Sequence, residues 1–448
     1  MALLHSLSNP AVNSSLDIFS MEQTDVSLSD QFFLDYYPIA DLSTNNFSPI
    51  EFICTASDNY YVDLSKTRIF VTIKVIKGTE NLKFTSASDA DLKDPAKSDI
   101  VAPINNIIHS LFSNIEVYIQ DLLVSQPATN NYPYLAYLHK ILNNSSLILD
   151  NKDSEAGFFW DSRPDSALES TGFMKRLKLT SNSTAVELVD TLSLDLFQTT
   201  KLLLNQIPLR FRFNRSNPAF CLQTHKTSAE TNYKVEISSM KLQLFKILPD
   251  VSILSAHDKL LSQMSAHYEY ERLLLRHYNI PINSSTTVLE NLFNGLLPQK
   301  IFFMLVDTTE FVGNFKSNPF NFQHKNLSHV ALYADQKPLL DLDLNFTNGQ
   351  YLESFSNLFF HSGYANSNKG PLNINRSNFK DGYCIFVFDL SATLGMGKHL
   401  NLQKTGNLRL SLTFSTPLAT STTLVVIGSF QNLISVDKNR RVLHDFKI

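Results

Sequence analysis

The second half of this chain repeats the first. Ser113 to Val124, SNIEVYIQDLLV, lies over Ser328 to Leu340, SHVALYADQKPLL: Ile115 meets Val330, Tyr118 meets Tyr333, and Asp121 falls beside Asp335. Tyr134 to Ser145 lies over Tyr351 to Ser362, with Leu138 over Phe355 and Leu142 over Phe359, and both segments carry apolar residues at the i, i+4 spacing of a short amphipathic helix. Leu192 to Phe197 resembles Phe386 to Ser391, Ile207 to Pro218 resembles Gly406 to Pro417, and Tyr233 to Ile247 resembles Thr423 to Val436. Five blocks in one order, with offsets that drift as loop insertions require, indicate a duplicated unit of roughly 200 residues. Whatever this chain folds into must be buildable twice.

The repeated unit reads as β. Ile301 to Val306 is an apolar run too short for a membrane span and rich in strand formers, so it is a core strand. Ser328 to Leu340 alternates as a strand, turns at Asp335, Gln336 and Lys337, and starts again at Pro338. Most other segments are five to eight residues long and punctuated by Gly, Pro, Asn and Asp, a spacing that favours sandwiches, and jelly rolls in particular. Hydrophobic residues make up 43% of the 448, including 33 Phe and 16 Tyr, enough for two large cores. The expected fold is all-β, two tandem eight-stranded jelly-roll sandwiches with short helices in loops.

The boundaries expected are an extended N-terminal arm over 1–44, a first jelly roll over 45–249, a linker over 250–265, a second jelly roll over 266–437 and a tail over 438–448. The arm carries apolar pegs, Phe19 among them, and is expected to order only on a neighbour. Lys77 to Lys97 reads as a surface loop. Lys152 to Ala185, with the single Trp160, is expected at the outer or intersubunit surface. The linker is ambiguous between a helix and an extended segment. Phe311, Phe315, Phe320 and Phe322 share a turn-rich loop with Gly313, Asn314, Asn318 and Pro319, so the loop packs on something. Either these rings serve an interface between subunits or they cap their own sandwich.

The net charge of −4 gives no basic face for nucleic acid, and no sequence-specific nucleic-acid contact is expected. No Lys or Arg precedes Lys66, whereas Asp17, Glu22, Asp25, Asp30 and Asp35 make the arm acidic. The tail is mildly basic, and Arg440 and Arg441 are candidates to meet an acidic arm or partner. Cys54, Cys221 and Cys384 stand far apart in apolar strands and read as reduced core residues. The N-terminus lacks the features of a signal peptide, and no run approaches 18 apolar residues, so synthesis inside the cell without membrane insertion is expected.

Catalytic constellations are weak. Leu394 to His399, LGMGKH, lacks the spacing of a phosphate-binding loop. Asp341 and Asp343, with Asp335, read as a solvated strand face rather than a carboxylate pair. His257, His267 and His277 recur at ten-residue steps that suit neither helix nor strand, and no metal-ligand spacing occurs. No catalytic residue, cofactor or metal is expected.

Several blocks carry a resemblance: LDIFS and QTDVSLSDQFFLDYYPI in the arm, DNYYVDLSKTRIFVTIKV, PINNIIHSLFSNIEVYIQDLLVS, YPYLAYLHKILN, FVGNFKSNPFNFQH, FDLS and FQNLISVDKNRRVLHDF. Together they resemble the major capsid protein of Polinton/Maverick elements and of their viral relatives, the adintoviruses. That family is similar to the double jelly-roll capsid proteins of double-stranded DNA viruses. The resemblance implies two upright jelly rolls per chain, a homotrimer forming a pseudo-hexagonal capsomer, lateral contacts between capsomers in an icosahedral shell, and penton and other minor capsid proteins as partners. It implies a structural role in the virion and no enzyme. Alternatives are a tandem jelly-roll enzyme acting on glycans, with carboxylates converging where the domains meet, and a glycan-binding attachment protein of the virion.

Overall fold

The computed structural model describes residues 7–8, 13–19, 21, 23–42, 48–56, 58–84, 92–95, 97–125, 131–144, 151–225, 231–293, 295–365, 370–371, 373–392, 394 and 399–444. The first half supplies β1 (Leu28–Tyr36), β2 (Ile50–Cys54), β3 (Tyr61–Lys77), β4 (Phe112–Ile119), β5 (Leu122–Leu123), β6 (Val186–Thr191), β7 (Leu209–Arg215) and β8 (Tyr233–Pro249). They pair antiparallel in two sheets, β1–β8–β3–β6 and β2–β7–β4–β5. The second half supplies β9 (Ala266–Ile280), β10 (Thr286–Leu289), β11 (Lys300–Asp307), β12 (Leu327–Ala334), β13 (Lys337–Asp343), β14 (Phe386–Asp389), β15 (Leu408–Phe414) and β16 (Thr422–Val436). Their sheets are β9–β16–β11–β14 and β10–β15–β12–β13. Each strand of the second half therefore takes the place of the strand numbered eight lower, and the chain is one eight-stranded jelly roll built twice.

Period-two alternation builds these sheets. In β7, Leu209, Phe211 and Phe213 are buried while Arg210 points out; in β15, Leu408, Leu410, Leu412 and Phe414 are buried while Arg409 points out. Where β12 turns into β13, Asp335 and Gln336 both have positive φ, 47° and 71°, the geometry of a two-residue hairpin whose twist matches the strands. The turn read from Asp335 to Lys337 is there. One matched block is displaced: the counterpart of β14 is β6, just before Leu192 to Phe197, because the alternating run VELVDT forms the strand and LSLDLF leaves it.

Five helices fasten the strands to one another and the first half to the second: α1 (Asn131–Asn143), α2 (Thr171–Thr180), α3 (Val251–Leu261), α4 (Thr308–Val312) and α5 (Leu352–Phe360). Helices α1 and α5 are the pair expected from the duplication. The linker resolves as α3, because Pro249 ends β8 and the Asp250 side chain caps the helix by accepting from the Ser252 N–H at 2.9 Å.

Three expectations are corrected. Residues 28–36 of the arm are not free: as β1 they pair with β8 from Leu28 against Pro249 to Tyr36 against Leu242. Phe33 lies 4.6 Å from the Phe245 ring, and Asp35 accepts from Lys241 and Gln243, so a strand far along the chain orders this segment. The loop from Lys77 to Lys97 is not all surface, since Leu82 and Leu92 are buried, Leu92 in a small cluster with Phe173 and Leu177 of α2; residues 85–91 and 96 lie outside the described residues. The tail's Val442–His444 pairs with β16, Val436 against Val442, extending the sheet.

Candidate functional site

The two jelly rolls meet through α1. Its Tyr134 and Tyr137 point into the second jelly roll, where Phe311 stands 5.3 Å from Tyr134 and Phe320 stacks on Tyr137 at 4.1 Å, with Phe322 beside both. The Tyr134 hydroxyl donates to the Pro319 carbonyl at 3.1 Å, so the buried polar tip is satisfied. Phe315, half-buried, lies against Tyr233, and its carbonyl accepts from the Thr224 hydroxyl at 3.0 Å. Gly313, at φ 111°, brings the loop so close to the Phe220 backbone that a Cβ would stand 2.8 Å from its nitrogen. Phe311, Phe320 and Phe322 are thus enclosed within one chain. As a correction, the surface these three rings serve is the seam between the chain's own two domains.

Part of the excursion from Lys152 to Ala185 closes the same seam, while its Arg163, Asp165 and Glu169 stay at the surface. Trp160 stacks on Tyr383 of the second jelly roll at 4.5 Å, and the Tyr383 hydroxyl donates to the Asp161 carbonyl at 2.7 Å. Behind them Arg176 of α2 is fully buried. Its Nη2 reaches both Asp161 carboxylate oxygens at 3.1 Å, and its Nε donates to the Pro103 carbonyl at 2.8 Å. Ser170 completes the carboxylate at 2.6 Å. A buried ion pair needs such full satisfaction to be tolerated.

The other side of α1 faces its own jelly roll with charge. Lys140 stands 2.6 Å from Asp190 on β6 and 3.4 Å from Asp153; His109 bridges Asp190 at 2.8 Å and the Tyr132 hydroxyl at 2.7 Å. Burial pushes the His109 imidazole below its usual range, against the pull of Asp190. Burial alone would raise the Asp190 carboxyl, but Lys140 and His109 hold it well below the usual carboxylate range. The group is enclosed, with no room for a substrate, and it locks α1 onto β6.

A cleft of about 300 Å³ opens beside α1 at the seam, with His139, Asp195, Glu271 and Lys300 among its walls. Burial pushes the Asp195 carboxyl up to about 7, against the Leu273 N–H that donates to it and the nearby Arg272. Glu271 accepts from the Ser429 hydroxyl. Nothing in the sequence pairs these carboxylates, which come from different jelly rolls.

The remaining candidates disperse. Arg440, in a turn at φ 62°, donates to Asn205 at 2.9 Å and Asp258 at 2.8 Å while its carbonyl accepts from Gln120. It ties tail, α3 and first jelly roll together within the chain, where an acidic arm or a partner was the expectation. Arg441 is exposed, its N–H donating to Asp437, and Phe19 is 95% exposed. Asp341 and Asp343 flank His329 on a solvated strand face, as expected. His257 contacts Tyr61, His267 contacts Ser435 and His277 lies against Phe311, so the three do not converge on one another. Residues 395–398 of LGMGKH lie outside the described residues. Cys54, Cys221 and Cys384 are buried and free, and burial pushes the Cys54 and Cys221 thiols up to about 12. Among the described residues no three His, Cys, Asp or Glu side chains gather to hold a metal, and no helix is long and apolar enough to cross a membrane.

No family model matches the chain. An uncharacterized protein of Caenorhabditis elegans is 24% identical over 405 residues, which span 89% of this chain and 93% of that protein. Among solved structures, a chain of the Sputnik virophage superposes with a TM-score of 0.63 at 12% identity, over 98% of this chain and 93% of that one. The mavirus major capsid protein gives 0.56 at 14% identity, over 99% and 96%, and a chain of the PBCV-1 virus capsid gives 0.59 at 10%, over 96% and 100%. At these identities the likeness is one of fold, and it runs the length of both partners in each comparison. The chain has the double jelly-roll fold of these viral capsid proteins.

Proposed function

We propose that this protein is a major capsid protein, a structural subunit of an icosahedral shell around a double-stranded DNA genome. The observation that carries the reading is the end-to-end correspondence with capsid proteins in both directions, which leaves no additional domain among the described residues for another task. The seam supports it. Two similar sandwiches are fused by stacked aromatic rings and by the Tyr134 and Tyr383 hydroxyls, so each chain is a stiff block with two pseudo-equivalent edges. Three such chains around an axis present six edges and close into a pseudo-hexagon, the symmetric solution for flat lateral contacts. Penton and minor capsid proteins would fill the remaining positions of the shell. Within this reading, the block resemblance to Polinton/Maverick and adintovirus capsid proteins supports membership of that group.

The test is the mass of the purified protein in solution followed by negative-stain imaging. A mass near three times 50.7 kDa, with hexagonal outlines or closed shells, is the expected result. A monomer that persists at high micromolar concentration and forms no particles overturns the reading.

One observation favours the glycan-acting alternative: Asp195 and Glu271 line the seam cleft, and Asp195 is tuned near neutrality. In the capsid reading Asp195 is a strained structural carboxylate. Asp195→Asn should then raise stability by about 1 to 2 kcal/mol at pH 8, where the native carboxyl is ionised at a cost, and change nothing at pH 4. Turnover of a polysaccharide by the wild type, lost in this variant, would favour the enzyme instead.

A further inference from the structure

A groove of about 570 Å³ opens where the first jelly roll hands over to the second. Leu28 at the start of β1, Leu204, Pro249 at the end of β8, Leu260 of α3, Met264 and Tyr268 of β9 line it. Helix α3 has only Leu261 buried, and Leu260 and Met264 stand 51% and 62% exposed at the groove, so its apolar face has no cover among the described residues. Apart from tyrosines, the titratable side chains in the lining are Lys201, His257 and His267; no lining residue is acidic. Lys201 is paired with Glu269 just outside, and His257 with Tyr61.

The chain enters this groove from an unusual stretch. Upstream of Leu28, Leu16, Ile18, Phe19, Met21 and Val26 are all more than two-thirds exposed. Asn13 to Val26 contains Asp17, Glu22 and Asp25 and no Lys, Arg or His. Its apolar pegs and acidic charge complement an apolar groove whose titratable groups are basic. The chain's own segment leaves the rim of the groove with these side chains in solvent, and fourteen residues extend to about 45 Å, far enough to reach an adjoining molecule. Five large apolar side chains held in water are the signature of a surface that is covered elsewhere.

We propose that the groove between α3 and β9 receives the segment Asn13–Val26 of a second copy of this chain. The pegs fill the apolar floor, and the carboxylates lie at a rim that carries His257, His267 and the Lys201–Glu269 pair and no unpaired carboxylate in its lining. The inference rests on the capsid reading and gives it a named contact between copies.

The test pairs two full-length variants, Phe19→Cys and Met264→Cys, one carrying a tag so that a mixed dimer has its own mass. Both positions are exposed, and the native cysteines are buried, so the introduced thiols are the reactive ones. On mixing, assembly and oxidation, the mixed disulfide dimer should exceed by at least tenfold that of a control pair, Phe19→Cys with Leu339→Cys, another exposed apolar position. Met264→Glu, with the sheets untouched, should spare capsomers but abolish shells. Capsomers and shells that form with no excess of the mixed link overturn the groove assignment and leave the capsid reading standing. A protein that remains monomeric overturns both.

Discussion

The two jelly rolls share a strand plan and differ in what fastens their helices. In the first, α1 is anchored to β6 by Lys140, Asp190, Asp153 and His109, all buried. In the second, α5 packs on β14 through Leu358, with Phe355 against Phe359 and Phe379 at 5.2 and 5.6 Å. Their longest strand pairs differ as well: β9 and β16 run in unbroken register for their full length, whereas β3 and β8 shift register near Ser239 and again near Phe245. Duplication has preserved the backbone, where hydrogen-bond ladders and alternation leave little freedom, and has let the chemistry of the interior diverge. The first jelly roll, which also bears the long excursion from Lys152 to Ala185, uses charge to fix what insertion loosened. The second is close to a dry aromatic core.

The largest expected effect comes from the edge strands. Deleting residues 1–44 removes β1, bares the edge of β8 and strips Lys241 and Gln243 of Asp35, so the first jelly roll should lose its fold and associate through that edge. Deleting 1–26 leaves β1 in place and should keep the circular dichroism spectrum and a melting temperature within a few degrees of wild type. A folded, monodisperse product from the longer deletion would show that β1 is dispensable.

Next come the two helix anchors. Lys140→Ala leaves Asp190 and Asp153 buried without their cation and should cost about 3 to 5 kcal/mol. Leu358→Ala removes a fully buried side chain from the corresponding helix and should cost about 2 to 5 kcal/mol through a cavity. Denaturant titration measures both. The distinguishing feature is salt and pH: the deficit in Leu358→Ala should be flat, and that in Lys140→Ala should shrink as acid protonates the stranded carboxylates.

The smallest effect is the pH response of the intact protein. His109 and His139 are both depressed by burial, so the unfolded chain binds protons that the native one refuses. Their contribution is complete above an unfolded value of about 6.5 and is lost as pH falls toward the native values. Asp190, also depressed, holds its contribution until far lower pH, and Asp195, raised, acts in the opposite sense between about 4 and 7. Between pH 7 and 5, hydrogen exchange should report a loss at α1 and β6 that exceeds, by about 1 kcal/mol, the loss at α5 and β14, where burial also depresses His361, which accepts from the Asp389 N–H at 2.8 Å. Equal loss in both jelly rolls would erase the distinction between them.

Much of this molecule could be read from its residues because the signals are local. Alternation in LRFRFNR and LRLSLTF, the turn at Asp335 and Gln336, and the spacing of Leu138 and Leu142 each act within a few residues. Their recurrence in order set the number of sandwiches and the pairing of halves. Tertiary structure alone decided the rest. β1 is nine residues with little buried surface and becomes a strand only because β8, two hundred residues on, offers an open edge. The aromatic loop from Phe311 to Phe322 announced that it must be covered, but its cover is α1 of the other domain. Asp190, Lys140 and His109 are ordinary residues in sequence and form a buried lock only when β6, α1 and the segment before β4 converge. A strand's periodicity is written by its own residues; which side chains meet across a seam depends on where the whole chain brings them.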